Sequence, residues 1–261
     1  MSTSIGIHGA AGRMGQRLIA LSREDSQLQL VAALERAGHP QLGQDAGTVA
    51  GVGPLGLELA TTWPQKPRVM IDFSLPQGTR DALRLCRAEG VALVIGTTGL
   101  SQEDHLAIDE AARDIAVLQS PNMSLGVNLL FALAGTAAAK LGQAYDIEIV
   151  EAHHRFKQDA PSGTALGLAQ AINHTTGRGY SYTPPGEAPK PARPGDIAIH
   201  ALRLGDVVGR HTVHLATLGE EIQLTHIAST RDIFARGALE AAKWLAGQGP
   251  GRYHMKDVLG L

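Results

Sequence analysis

The chain has 261 residues, enough to bury a substantial core in one large domain or two of ordinary size. Its formal net charge of −2 excludes a general attraction for nucleic acid or anionic membrane. The single cysteine, Cys86, excludes an internal disulfide framework, and the opening MSTSIGIHGAAGRMG lacks a basic region followed by an apolar signal core, so a cytoplasmic location is expected.

Ser4 to His8 is a β-prone run that leads directly into GAAGRMG, with Gly9, Gly12 and Gly15. Met14, Leu18 and Leu21 then recur at i, i+4 and i+7, which predicts a helix. Leu28 to Glu35 is almost continuously apolar, as in a parallel strand covered on both faces. Glycines alone suit any tight turn, but between a strand and a helix they let the backbone approach a pyrophosphate at a positive helix end. Glu35 falls about 20 residues past the glycines, where an acid bonds the ribose hydroxyls of NAD. Arg36 beside it suits the extra phosphate of NADP, so tolerance of NADH or NADPH is predicted.

From Ala37 to Pro67 the chain is rich in Gly, Pro and small polar residues and predicts loops with at most short elements. Val69–Ser74 and Ala92–Gly99 read as buried strands separated by a helix bearing Leu83 and Cys86, the latter a core residue. The turn Gly96–Gly99 ends a strand, the place where open α/β sheets bind ligands. A helix over Gln102–Arg113 and a strand over Ile115–Asn122 complete the alternation, which predicts a doubly wound parallel sheet. Ser124–Ala139 is uncharged, but it falls short of the roughly 20 apolar residues that span a bilayer and is expected to be a buried helix.

The character changes at YDIEIVE, which alternates as a strand before the polar run Glu151–Ala165, EAHHRFKQDAPSGTA. Ala165, Leu168, Ala169 and Ile172 then share a helical face, so the run is read as a strand-to-helix crossing. Ser162, Gly163 and Thr164 would open that helix, whose first N–H groups can hold an anion, with Lys157 and Arg155 adding charge. His153 and His154 are candidate proton donors near neutral pH, and strand alternation lets only one of them enter a given pocket.

His174–Asp196 is dense in Pro and Gly and predicts a long surface loop. Ile197–Asp206, Gly209–Gly219 and Glu221–Ser229 alternate like neighbouring strands of a mixed or antiparallel sheet, one face of which suits a subunit interface. Of His200, His211, His214 and His226, His211 and His214 lie three apart and face opposite ways, so no metal site is expected. Arg231–Gly247 predicts a helix through Phe234, Ala238, Ala242 and Leu245 that returns to the first domain.

The expected fold is therefore α/β. An N-terminal Rossmann-type doubly wound parallel sheet, residues 1–124 with 232–261, binds the dinucleotide. A second α+β domain with a mixed or antiparallel sheet, residues 125–231, binds substrate and carries oligomerisation.

GAAGRMG, GTTG with SPNMSLGVN, and EAHHRFKQDAPSGTA together resemble the 4-hydroxy-tetrahydrodipicolinate reductases of bacterial and plant lysine synthesis. GDVVGRHTV and FARGALEAAKWL look like the same family's tail, and the histidine run is the most specific part. The resemblance implies a cytoplasmic homotetramer, without nucleic-acid or membrane partners, that reduces a cyclic unsaturated imine dicarboxylate with NADH or NADPH. It implies His153 and Lys157 as acid–base residues, with His154, Gly163 and Thr164 on the substrate carboxylates. Nucleotide contacts carry over to Gly9, Ala10, Ala11, Gly12, Arg13, Met14, Glu35, Arg36, Gly96, Thr97, Thr98, Ser120, Pro121, Asn122 and Met123. Two positions depart from the family's pattern: Met123 replaces a common aromatic residue, and His8 a small or aliphatic one.

Two other readings compete. A different reductase of a small dicarboxylate, such as a semialdehyde dehydrogenase, needs a thiol nucleophile that Cys86 is badly placed to supply. A non-catalytic NAD(P)-sensing protein would keep the glycine loop and have no use for the histidine run.

Overall fold

Short strands buried on both faces organise the first part of the chain. The computed structural model describes residues 2–182 and 195–261. In chain order these form β1 (Thr3–His8), α1 (Arg13–Ser22), β2 (Leu28–Leu34), α2 (Ala46–Val49), β3 (Leu59–Ala60), β4 (Val69–Asp72), α3 (Pro76–Glu89), β5 (Ala92–Ile95), α4 (Gln102–Ala111) and β6 (Ala116–Gln119). There follow α5 (Leu125–Leu141), a single 3-10 turn, β7 (Asp146–His153), α6 (Gly163–Thr176), β8 (Tyr180–Tyr182), β9 (Ile197–Arg203), β10 (Gly209–Thr217), β11 (Glu220–Ala228), α7 (Asp232–Leu245), β12 (Gly251–Tyr253) and α8 (Met255–Val258). The chain divides into two compact units, Met1–Ser124 with Asp232–Leu261, and Leu125–Arg231.

The first unit holds a seven-stranded sheet of order β12-β6-β5-β4-β1-β2-β3, with every pairing parallel. Every residue of β4 and β6 is buried, as the continuous apolar runs predict. The winding reverses between β1 and β4, and at such a point the loops at the carboxyl ends part to leave a crevice. Pro76 opens α3, and Gly90, with φ of 66°, closes it in the left-handed conformation. Ala235, Ala238, Ala242 and Leu245 of α7 are buried against β4, β5, β6 and α1. Cys86 is fully buried, and burial pushes its thiol far above the usual range, so it is an inert core residue. β12 is unforeseen from sequence, because Gly-Arg-Tyr has neither the length nor the alternation of a strand.

The second unit is a mixed five-stranded sheet of order β11-β10-β7-β9-β8. β7 pairs antiparallel with β10 and parallel with β9. The three alternating runs near the C-terminus are thus not consecutive neighbours, since β7 enters between the first and second of them. Ile147, Ile149, Val213 and Leu215 of the sheet pack on Ala165, Leu168, Ala169 and Ile172 of α6 and on Leu130 and Ala134 of α5.

Three expectations are corrected here. α5 is not buried all round: Val127, Leu130, Ala134 and Ala138 face the core, while Leu129 and Leu133 are 40% and 47% exposed. By length and composition alone Leu125–Ala144 is apolar enough to cross a bilayer, yet its inner stripe packs on α6. The expected loop His174–Asp196 is partly structured, with α6 running to Thr176 and Tyr180–Tyr182 pairing as β8, while residues 183–194 lie outside the described residues. Finally, Glu151 to His153 belong to β7 rather than to the crossing, which therefore starts at His154.

Candidate active site

In the first unit, Gly9 follows β1 with φ of 75°, and a Cβ there would lie 2.8 Å from the Phe73 carbonyl oxygen. Gly12 caps α1 without any side-chain bond, so the helix opens with backbone N–H groups unclaimed by a capping side chain. The Glu35 carboxylate is tied to this loop, accepting the Ala11 N–H at 3.2 Å and the Arg36 N–H at 3.0 Å. A helix end lacking a side-chain cap, a loop whose Gly9 leaves no room for a Cβ, and an acid at its foot fit a nicotinamide dinucleotide.

The strand ends around this loop share a buried acid. Asp72 accepts bonds from His8 Nδ1 at 2.8 Å, Ser74 Oγ at 2.6 Å, Thr79 Oγ1 at 2.6 Å and Thr97 Oγ1 at 2.9 Å. That explains His8, whose place in the chain is otherwise unusual: its ring anchors the end of β1 to the end of β4. Because the Thr97 hydroxyl is spent on Asp72, Thr97 has its backbone to offer a ligand, whereas Thr98 is exposed. Met123 is 1% exposed, which leaves its backbone as the part able to touch a nucleotide. Ser120 donates to the Asn122 carbonyl at 2.8 Å, and Pro121 is exposed beside it. Asp72→Ala leaves four buried or half-buried donors without their acceptor and is expected to cost about 3 kcal/mol or more, measurable by denaturant unfolding.

In the second unit the histidine pair divides. His153 ends β7 and is buried; its Nδ1 lies 2.5 Å from Glu151 Oε2. Glu151 is fully buried and also accepts both guanidinium nitrogens of Arg203 at 3.0 Å and the Ser162 N–H at 3.0 Å. Burial pushes the Glu151 carboxyl up, but bonds from His153 and Arg203 outweigh it and bring the pKa down to about 2. The carboxylate is thus an acceptor, and the proton on this contact belongs to His153 Nδ1. The opposite nitrogen, Nε2, rests against Gly209, where a Cβ would stand 3.2 Å away.

Ser162 joins this cluster to α6. Its hydroxyl accepts the Ala165 N–H at 3.2 Å as helix cap and meets His211 Nε2 at 3.0 Å. The helix then starts with Gly163, which is exposed with open space at its Cα, and half-buried Thr164. The His211 ring stands edge-on to His153 at 5.1 Å, and burial, reinforced by His153, brings its pKa down to about 3. Between pH 6.5 and 3 the unfolded chain takes up a proton that folded His211 refuses, so stability falls as pH falls. A drop in thermal midpoint between pH 7 and pH 4 is expected, and it should be smaller in His211→Gln.

His154 turns the other way. Its Nε2 lies 3.3 Å from Arg231 Nη2, and since Arg can only donate, the His154 proton is on Nδ1, which is buried with no partner among the described residues. His154, Phe156, Gly205, Asp206, Val208 and Arg231 line a cavity of about 320 Å³, near the roughly 300 Å³ lower limit of small-molecule sites. Lys157 Nζ donates to both carboxylate oxygens of Asp159 at 2.8 Å. The structure thus groups His153 with the start of α6 and places His154 against Arg231 on this cavity.

Sequence reading missed Arg203, Arg231 and His211 as members of this region. Arg203 is brought to His153 by β7–β9 pairing and Arg231 to His154 by tertiary contact, and neither has a local signature. The expected opposition of His211 and His214 holds: His211 is buried toward the helices, while His214 bonds Glu221 at 2.5 Å on the other face. Among the described residues, no group of three or more His, Cys, Asp or Glu could hold a metal ion.

Residues 3–123 match the family described as dihydrodipicolinate reductase, N-terminus, and residues 126–259 its C-terminus. A 4-hydroxy-tetrahydrodipicolinate reductase of Alkalilimnicola ehrlichii is 49% identical over 100% of both chains. One from Syntrophotalea carbinolica is 45% identical over 98% of each. The solved dipicolinate-bound dihydrodipicolinate reductase of Paenisporosarcina sp. TG-14 superposes with a TM-score of 0.78 at 26% identity, covering 97% of this chain and 98% of the other. With both halves matched in order and relatives aligned end to end, this chain belongs to the dihydrodipicolinate reductase family.

Proposed function

We propose that this protein reduces 4-hydroxy-tetrahydrodipicolinate to tetrahydrodipicolinate, with loss of water, using NADH or NADPH in lysine and diaminopimelate synthesis. The observation that carries the mechanism is the His153–Glu151 contact tied through Ser162 to the start of α6. It supports reading His153 as a proton donor beside a helix start suited to an anion.

When bound, NADH or NADPH would supply hydride to the conjugated imine. His153, held through Nδ1, has Nε2 to give a proton to the atom that gathers electron density. Lys157 adds positive charge in the crossing loop and serves the same developing charge as donor or stabiliser. Gly163 and Thr164 offer the first N–H groups of α6 to one substrate carboxylate, and His154 takes part in holding the diacid. The loop from Gly9 to Met14, with Glu35, Arg36, Gly96–Thr98 and Ser120–Met123, holds the nucleotide. Dipicolinate, bound in the solved relative, is itself a ring carrying two carboxylates, which supports this substrate class.

The enzyme acts in the cytoplasm as a homotetramer, without nucleic-acid or membrane partners. The sheet face opposite α5 and α6 supports association, since Leu202 and Ile227 are 44% and 58% exposed there beside Glu148, His200 and His214. Light scattering should give a mass four times that of the chain.

Steady-state reduction of the cyclic imine with each nucleotide tests the reading. Turnover with both is expected, and none with either defeats it. Arg36→Ala is expected to raise KM for NADPH about tenfold with little change for NADH, consistent with losing one charge-assisted phosphate contact.

A further inference from the structure

Glu151 transfers no proton in the proposed chemistry, yet it is the most heavily bonded side chain of the second unit's site. It is fully buried and receives His153 Nδ1, two guanidinium nitrogens of Arg203 and the Ser162 backbone. Arg203 also donates to the Asp159 carbonyl at 2.5 Å, which pins the crossing loop carrying Lys157. Arg203 lies directly opposite His153 in the parallel pairing of β7 with β9, so the ion pair is built into the sheet register.

We propose that Glu151 and Arg203 form a positioning pair that sets which nitrogen of His153 gives up its proton and at what pH it does so. The inference rests on His153 being the proton donor. Glu151 holds the Nδ1 proton, so the proton leaves from Nε2 and the ring returns to one defined neutral tautomer. His153 meets the carboxylate through Oε2 alone, while the Arg203 guanidinium bonds both of its oxygens. The ring is thus tied to a buried carboxylate that itself pairs with a half-buried guanidinium.

Other groups facing His153 are few. His211 of β10 stands edge-on to it; His226 of β11 and Lys157 of the crossing loop act in turn on His211, and Asp159 is bonded to Lys157. His211 has its pKa held down to about 3, so it adds no charge near neutrality. Glu151 and Arg203 are the charged groups that share direct bonds in this cluster, so they should dominate its response to pH.

The test is the pH profile of kcat for cyclic-imine reduction by the full-length enzyme, with Glu151→Gln, Arg203→Gln and Arg203→Lys beside wild type. Glu151→Gln removes the group that favours imidazolium, so the basic limb should move down by about one pH unit and kcat fall on the order of 10²-fold. Arg203→Gln removes the opposing charge, so the limb should move up by a similar amount, and Arg203→Lys should restore it toward wild type. The KM for NADH should not change in any of them.

Limbs that stay put while kcat falls would mark a merely structural role and overturn the proposal, as would shifts of the same sign. Nitrogen NMR of the His153 ring in the wild type keeps the proposal testable if a variant fails to fold. Protonated Nδ1 and bare Nε2 in the neutral form are expected, and the reverse tautomer refutes it. If wild type itself fails to reduce the imine, the proposed function is at fault; if wild type turns over and the limbs do not diverge, this inference is.

Discussion

His153→Gln is expected to lower kcat by roughly 10²–10⁴-fold, the usual contribution of a placed acid, while NADH binds with unchanged affinity. Gln preserves size and one hydrogen bond to Glu151 but cannot carry a transferable proton at neutral pH. The cluster formed by Glu151, Arg203 and Ser162 does not depend on the imidazole for its other bonds, so the fold should persist. Stopped-flow hydride transfer, together with NADH titration by fluorescence, separates the two effects. Wild-type-like turnover would remove His153 from the mechanism. Lys157→Ala should behave similarly, with a loss of orders of magnitude in turnover and none in nucleotide affinity, as expected for removing a positive charge from the site.

The second large effect lies in the other unit. Gly15→Ala is expected to abolish measurable NADH and NADPH binding. An added Cβ would stand 2.2 Å from the Gly9 carbonyl oxygen and 2.6 Å from Ala10 Cα. Both are backbone atoms of the loop itself, so relief requires moving the loop proposed to hold the pyrophosphate or shifting α1 away from β1. Gly12→Ala is the milder comparison, because its Cβ would lie 3.1 Å from the same oxygen. A titration in which Gly15→Ala binds nucleotide as tightly as wild type would show that this loop is not the phosphate site. Circular dichroism separates a local loss of binding from loss of the fold.

Much of this architecture is legible in the chain because its signals are local. Val69–Asp72 and Ala116–Gln119 read as buried parallel strands because every residue in them is buried, so continuous apolar sequence carries the message. Ala165, Leu168, Ala169 and Ile172 read as one helix face for the same kind of reason, and all four are fully buried. The histidine run is conspicuous because few structural jobs need two histidines, an arginine, a lysine and two carboxylates beside one turn.

What escaped was non-local. The order β10-β7-β9 depends on pairings between strands far apart in sequence, and alternation within each run says nothing about its neighbour. β12 is defined by its docking against β6, with little in Gly251–Tyr253 to announce it. The half-open α5 has uniform apolarity, so its sequence could not show which stripe would face the core. The distinction between His153 and His154 needed the end of β7, since a strand one residue longer would have kept the alternation going through both.

The partners of His153 are separated by 52 residues between Glu151 and Arg203, and they meet through β9. A ribosome-bound chain that has not yet emitted that later segment carries the histidine without its guanidinium counterweight. The bonded cluster around His153 is therefore completed late in synthesis, once β9 has paired with β7.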